Sequence, residues 1–228
     1  MEQHASLAAR RGAIEAGIAA LRADRIHGSG YLARKALGIM TLAEPPDRPA
    51  LGGRLAALRP EMPAIAAAVR EAMESGDSRA VIRRADAERR RVARAAMRTL
   101  RRRRVATISN SSLVERALVY ASPLLVQVVV EDAGDEGHVL VANLTAGGIH
   151  AIAVPFTALD ADVAVVGCDA VFDDGTFMNR RGTLALVTRM PALVLVDRWK
   201  RVGGPAPDAS RVPEPFELIP GDRVRAPA

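Results

Sequence analysis

The apolar periodicity of this chain changes once, near Val105, and that change constrains the fold more than any other feature. Before it the spacing is helical. Leu7, Ile14, Ile18 and Leu21 stand seven, four and three residues apart, which places them on one face of a helix. Tyr31 to Met40 is a second helical segment, and Leu51, Leu55 and Leu58 mark a third. Met62, Ile65 and Val69 mark a fourth. Pro45, Pro46 and Pro49 interrupt the chain, and Pro60 closes the third segment and can open the fourth. Asp77 or Ser78 is the expected N-cap of a long helix from Arg79 to about Arg103, with Val92, Ala96 and Leu100 as its seam and Ala93 and Met97 alongside.

After Arg104, short apolar runs alternate with helical ones. Val105–Ile108, Leu124–Val130, Ile149–Val154, Val163–Val166 and Ala192–Val196 predict strands. Leu113–Ala121, Gly137–Ala146 and Arg181–Arg189 predict helices, and Gly147-Gly148 stops the second of these. Strands that are apolar on both faces need cover on both, which argues for a parallel sheet between helical layers. The expected fold is α/β: a helical domain over 1–104, then a Rossmann-like domain over 105–228. Gly203–Pro215 reads as a surface loop, and Phe216–Ile219 as a short returning strand.

Several functions are disfavoured by what the sequence lacks. No Gly-x-Gly-x-x-Gly follows the first strand and no P-loop is present, so a nicotinamide or P-loop nucleotide enzyme is not expected. Cys168 is the single cysteine, which excludes an intrachain disulfide and a cysteine-rich zinc site. His4, His27, His138 and His150 show no metal-ligand spacing, and neither a metal nor a cofactor is expected. The longest apolar stretch, Ala117 to Val130, is broken by Ser122, Pro123 and Gln127. It also falls short of the ~20 residues of a membrane span. Met1 to Arg25 has no long apolar core of a secretory signal, so the expected location is the cytoplasm.

An open α/β sheet binds ligands beyond the carboxyl ends of its strands. Three places there are chemically suggestive. Thr107-Ile108-Ser109-Asn110-Ser111-Ser112 runs from a strand into a helix, where hydroxyls and free N–H groups suit a phosphate, or where Ser111 or Ser112 is simply the cap. In Gly167-Cys168-Asp169 the carboxylate could work as an acid or base, or bind sugar hydroxyls, or only close a turn. Asp173-Asp174-Gly175-Thr176 is a turn; Asn179-Arg180-Arg181-Gly182-Thr183 then begins a helix where Arg180 and Thr183 are available to an anion. A capped, solvated helix start is the alternative.

These three elements, in this order and spacing, resemble a family. It joins methylthioribose-1-phosphate isomerase and ribose-1,5-bisphosphate isomerase to the α, β and δ subunits of translation initiation factor 2B. Val165–Leu186 (VVGCDAVFDDGTFMNRRGTLAL) is the most specific part, and Phe216-Glu217-Leu218-Ile219-Pro220 is similar to the family's closing segment. In the helical half, Arg25-Ile26-His27-Gly28-Ser29 aligns with the family's Arg-Gly-Ala phosphate-binding turn, with His27 at the arginine's place.

The resemblance implies a helical domain before a Rossmann-like one, and commonly a homodimer. The isomerases place a cysteine and an aspartate around an open-chain sugar; these positions fall on Ser109 and Asp169 here. Serine is a far poorer acid than a thiol of pKa near 8.5. The family's arginine-bearing segment after the second strand is the acidic Glu131–Gly137 here. Both departures favour a regulatory or non-catalytic protein that binds a phosphorylated sugar or nucleotide, with an isomerase using Asp169 as the alternative. The ligand set would be His27, Gly28, Ser29, Asn110, Ser111, Ser112, Asn179, Arg180, Gly182 and Thr183. A third reading is an RNA- or ribosome-associated protein using the basic run Arg89-Arg90-Arg91, Arg94, Arg98 and Arg101–Arg104, whose alternative is a solvated face.

Overall fold

The computed structural model describes residues 2–130 and 136–225. The helical half has five helices among these residues: α1 (Glu2–Ala23), α2 (Ser29–Met40), α3 (Arg48–Ala56), α4 (Pro63–Ser75) and α5 (Ser78–Leu100). Local chemistry sets their ends. Pro49 sits in the first turn of α3, and α4 opens at Pro63 rather than Pro60, where the missing N–H costs nothing. Gly76 ends α4 at φ 69°, a left-handed position glycine occupies without a Cβ penalty. Asp77 caps α5 by accepting the Ala80 N–H at 2.9 Å.

Five strands then form a parallel sheet: β1 (Arg104–Ile108), β2 (Leu125–Val129), β3 (Ala151–Val154), β4 (Val163–Val166) and, after two more strands, β7 (Ala192–Val194). Their order is β3-β2-β1-β4-β7. The chain thus builds outward from β1 on one side and then restarts on the other. The reversal lies between β1 and β4, which pair at Val105 with Val163 and Ala106 with Ala164.

The helices of this half are α6 (Ser112–Ala121), α7 (Glu136–Ala146) and α8 (Thr183–Arg189). One face of the sheet puts Val105, Val126, Val128 and Val165 against Leu113, Leu118 and Leu140, joined by Ala93, Ala96 and Leu100 of α5. The other puts Ala106, Ala164, Val166 and Val129 against Leu186, Val187, Phe177 and Ile219. Leu113 and Leu118 are fully buried, each worth about 2–3 kcal/mol of burial. The two-sided cover explains why these strands are mostly apolar, with Thr107 and Gln127 as buried polar exceptions.

A second, antiparallel sheet consists of β5 (Ala170–Val171), β6 (Phe177–Arg180) and β8 (Phe216–Ile219), ordered β5-β6-β8. Asp173–Thr176 is the turn between β5 and β6: Gly175 has φ 81°, and the Asp174 carboxylate accepts the Thr176 N–H at 2.9 Å. Asn179 and Arg180 therefore lie on a strand, not at a helix start, and the helix begins at Thr183. Sheet pairing with Glu217 and Phe216 overrides the local preference. The small sheet also joins the two halves, since Ala170, Met178 and Phe216 share the core of α1–α4 with Trp199. The Trp199 indole donates to Glu71 of α4 at 2.8 Å.

Candidate functional site

The reversal between β1 and β4 opens a crevice at their carboxyl ends, and the loops entering it are tightly built. Ser109, just after β1, has φ 60°, a left-handed conformation that costs a non-glycine residue about 1–3 kcal/mol. Ser111 caps α6, its hydroxyl accepting from the Val114 N–H at 3.4 Å. Opposite, beyond β4, a Cβ on Gly167 would stand 2.7 Å from the Ser111 hydroxyl, so the two loops touch backbone to side chain.

The crevice collects His27, Gly28, Ser109, Asn110, Ser111, Asp169, Asn179 and Arg180 around one narrow space. Three other expected ligands turn away from it. Ser29 is fully buried. Ser112 accepts a hydrogen bond from Arg89 at 2.8 Å. Thr183 is buried, donating to the Arg180 carbonyl at 2.6 Å and accepting from the Asn179 amide at 3.0 Å. Thr183 thus locks the crevice wall. Gly182, with φ 92°, lines a neighbouring recess beside Ser109 and Arg180.

The centre of the crevice encloses about 20 Å³, room for one water. The recess beyond Ser109 adds about 350 Å³ and is bordered by Glu136, Arg180, Arg181 and Gly182. Asp169 is 6% exposed, and its backbone N–H is held by the Met178 carbonyl at 2.8 Å. The Cys168 thiol is buried and pushed up to about 12 by desolvation, an effect that the nearby Lys200 charge only partly offsets. It is an inert part of the core.

Lys200 and Arg59, which the sequence did not single out, and Glu136 of the acidic segment complete the site. Lys200 is 4% exposed and lines the crevice. It is one of only two lysines in an arginine-rich chain, which was the available signal. Arg59 is 7% exposed; its guanidinium donates to the Asp24 carbonyl at 2.7 Å and pairs with Glu61. Glu136 pairs with Arg180, which also donates to the Arg25 carbonyl at 3.3 Å and stands 5.6 Å over the Phe216 ring. Burial, and then the positive charge of Arg59, hold the Arg180 pKa below the usual arginine range. Arg59 and Arg180 both line the crevice mouth, where a cavity of about 680 Å³ opens between the helical half and the small sheet.

His27 is anchored rather than free. Its Nδ1 meets the Asp24 carboxylate at 2.8 Å, its N–H donates to the same group at 3.0 Å, and its ring stacks on Tyr31 at 4.0 Å. Of the acidic segment Glu131–Gly137, residues 131–135 lie outside the described residues, and its last two residues border the recess. Among the described residues no cluster of acidic, histidine or cysteine side chains is arranged to hold a metal, and no helix is long and apolar enough to cross a membrane. The basic run of α5 is divided: Arg89 is 1% exposed and points inward, while Arg90, Arg91, Arg94 and Arg98 are exposed.

Comparison with known proteins gives a consistent picture. The profile of the initiation factor 2 subunit family matches residues 60–191. No curated protein matches by sequence. Among solved structures, the Pyrococcus horikoshii OT3 translation initiation factor eIF-2B superposes with a TM-score of 0.80 at 20% identity, covering 93% of each chain. The eIF2B delta of Chaetomium thermophilum gives a TM-score of 0.69 at 17% identity, covering 93% of this chain and 94% of that one. A chain of the tetrameric eIF2B-beta2-delta2 complex from C. thermophilum gives 0.67 at 19% identity, covering 95% and 88%.

Proposed function

The chain belongs to the initiation factor 2 subunit family, and on that premise we propose that it binds a phosphorylated sugar or nucleotide in the β1/β4 crevice as a regulatory, non-catalytic protein. One observation carries the reading. Arg59, 7% exposed, and the partly buried Arg180 bring two positive charges to the crevice mouth, where burial and then the charge of Arg59 disfavour the charged form of Arg180. A phosphate between them would answer both charges with charge-assisted hydrogen bonds, in place of the Glu61 carboxylate that now pairs with Arg59. Glu136 holds Arg180 meanwhile, so an incoming phosphate competes with a carboxylate of the chain itself.

The same geometry argues against turnover. Ser109 offers a hydroxyl where the isomerases have a thiol, and Cys168 is buried with its proton tightly held. The second reading, an aldose–ketose isomerase, rests on Asp169 as a buried carboxylate beside Lys200. The relative in the tetrameric eIF2B-beta2-delta2 complex supports an oligomeric state for this chain, and a homodimer is the form proposed.

A thermal-shift screen against pentose 1-phosphates, ribose 1,5-bisphosphate, AMP and GDP tests the proposal, with NMR following any sugar phosphate for isomerisation. Ligand at about 100 times its dissociation constant should add about 2.7 kcal/mol of stability. Arg59→Gln and Arg180→Gln should abolish the shift. Conversion of aldose to ketose that Asp169→Asn removes would replace the regulatory reading with the enzymatic one. No shift with any compound would refute both.

A further inference from the structure

Residues 78–104 hold twelve arginines against Asp86 and Glu88, a net charge of +10; the whole chain carries +6, so everything else sums to −4. The positive excess therefore resides on α5 and the turn that follows it. Arg89 is internal, and the others form a ridge. At about 100° per residue, Arg83, Arg90, Arg94 and Arg98 fall within about 80° of one another, with Arg84 and Arg91 on the flank. They lie opposite the buried Val81, Ala85, Ala93 and Ala96. From Arg83 to Arg98 the ridge runs about 22 Å.

Few of these charges are answered. Arg83 and Arg84 reach Asp77 at 3.9 Å and Glu71 at 3.4 Å. Arg90, Arg91 and Arg98 make no ion pair among the described residues, nor do Arg101–Arg103. Arg94 stands 5.6 Å over the Tyr120 ring. Tyr120 in turn forms a wall of a cavity of about 510 Å³, with Tyr31, Ser112, Glu115, Arg116 and Asn143 also lining it.

We infer that this ridge and the cavity beside it bind single-stranded RNA. The buried positions of α5, Val81 to Leu100, span about a third of its circumference, and its exposed arginines run along the helix instead of clustering at its N-terminus, where a recognition helix meets base edges. A flexible strand can follow a convex ridge, its phosphates meeting about one arginine per helical turn. The Tyr120 ring, already under the Arg94 guanidinium, offers a face on which an unpaired base stacks. The hydroxyl, carboxylate and amide of Ser112, Glu115 and Asn143 supply partners for a ribose 2′-hydroxyl, which DNA lacks.

Fluorescence anisotropy with the full chain decides the matter, using a 20-nucleotide RNA, the same sequence as DNA, an RNA duplex, and polyglutamate of equal charge. Four or five phosphate contacts predict a slope of about −3 in log K against log salt, hence about 60-fold weaker binding at 200 than at 50 mM KCl. Arg90→Gln/Arg94→Gln/Arg98→Gln, all on exposed residues, should reduce the slope to about −1 with an unchanged melting temperature. Tyr120→Ala should weaken RNA binding about tenfold and leave the slope alone. A triple variant with the original slope would overturn the inference, as would no binding at 50 mM KCl. DNA or duplex bound as tightly as the RNA strand would also overturn it. Polyglutamate bound equally well would assign the ridge to an acidic protein instead.

Discussion

Replacing Asp197 by asparagine keeps the shape of the side chain and deletes one charge. The carboxylate accepts from the Arg89 guanidinium at 2.6 Å, and the two side chains are 3% and 1% exposed. The variant leaves a buried guanidinium without a counter-charge, with only neutral acceptors, the amide oxygen at position 197 and the Ser112 hydroxyl at 2.8 Å, and with Arg34 and Arg116 repelling it. Burial already holds the Arg89 pKa down, so little water reaches the group. Breaking a buried pair on one side costs about 3–5 kcal/mol. For a chain of this size each kcal/mol moves the melting temperature by about 2–4 °C, so Asp197→Asn should lower it by about 6–20 °C.

Urea denaturation followed by circular dichroism gives the free energy, and a thermal scan gives the temperature. The double variant Arg89→Met/Asp197→Leu removes both charges and should recover most of the loss, because a packed apolar pair replaces a buried ionic one at little cost. Gly30→Ala approaches the same pair from α2: its Cβ would lie 2.5 Å from Arg89 Nη1, so it should destabilise in the same direction. A loss below about 1 kcal/mol in Asp197→Asn would refute the reasoning, as would a double variant no better than the single. Either result would mean that the pair does not pin the helical half to the sheet.

Three further outcomes follow from the site and its surroundings. Glu136→Gln frees Arg180 from its internal anion and should tighten phosphorylated-ligand binding about tenfold by calorimetry, whereas an unchanged dissociation constant would remove Glu136 from the competition. Cys168, buried and with its pKa pushed up to about 12, should react with Ellman's reagent only as fast as the protein unfolds; rapid labelling at pH 8 would contradict its placement. Burial opposes ionisation of Asp24, but hydrogen bonds from the His27 N–H and ring and the Ile26 N–H prevail and hold its pKa below the usual value. That stability is present above about pH 3.9 and is lost as pH falls through the depressed folded value, so Asp24→Asn should flatten the acid limb of a melting-temperature profile.

The sequence alone shows where helical spacing gives way to strands, and the character of each stretch. A change of period from helical spacing to continuous apolar runs can only be satisfied by helices that bury one face and strands that bury two, and both halves show that arrangement. Val163–Val166 and Phe216–Ile219 are strands with the bounds read from composition, and Asp77 is the cap of α5. The loops at the carboxyl ends of β1 and β4 were legible too, because small polar residues after apolar runs mark where backbone leaves a sheet.

Tertiary structure alone decided which polar side chains face the crevice. Asn179 and Arg180 pair with a strand some forty residues away, a contact that no local period reports. Ser112, on the first turn of α6, faces Arg89 rather than the crevice because that buried guanidinium needs an acceptor. Arg89 reads like its neighbours in a basic run, yet packing of α5 on the rest of the fold puts it inside, where Asp197, 108 residues on, balances its charge. Arg59, Glu136 and Lys200 enter the site from three separate segments for the same reason. Local spacing fixes the face a residue lies on, but what it meets there depends on which distant segment the fold brings across from it.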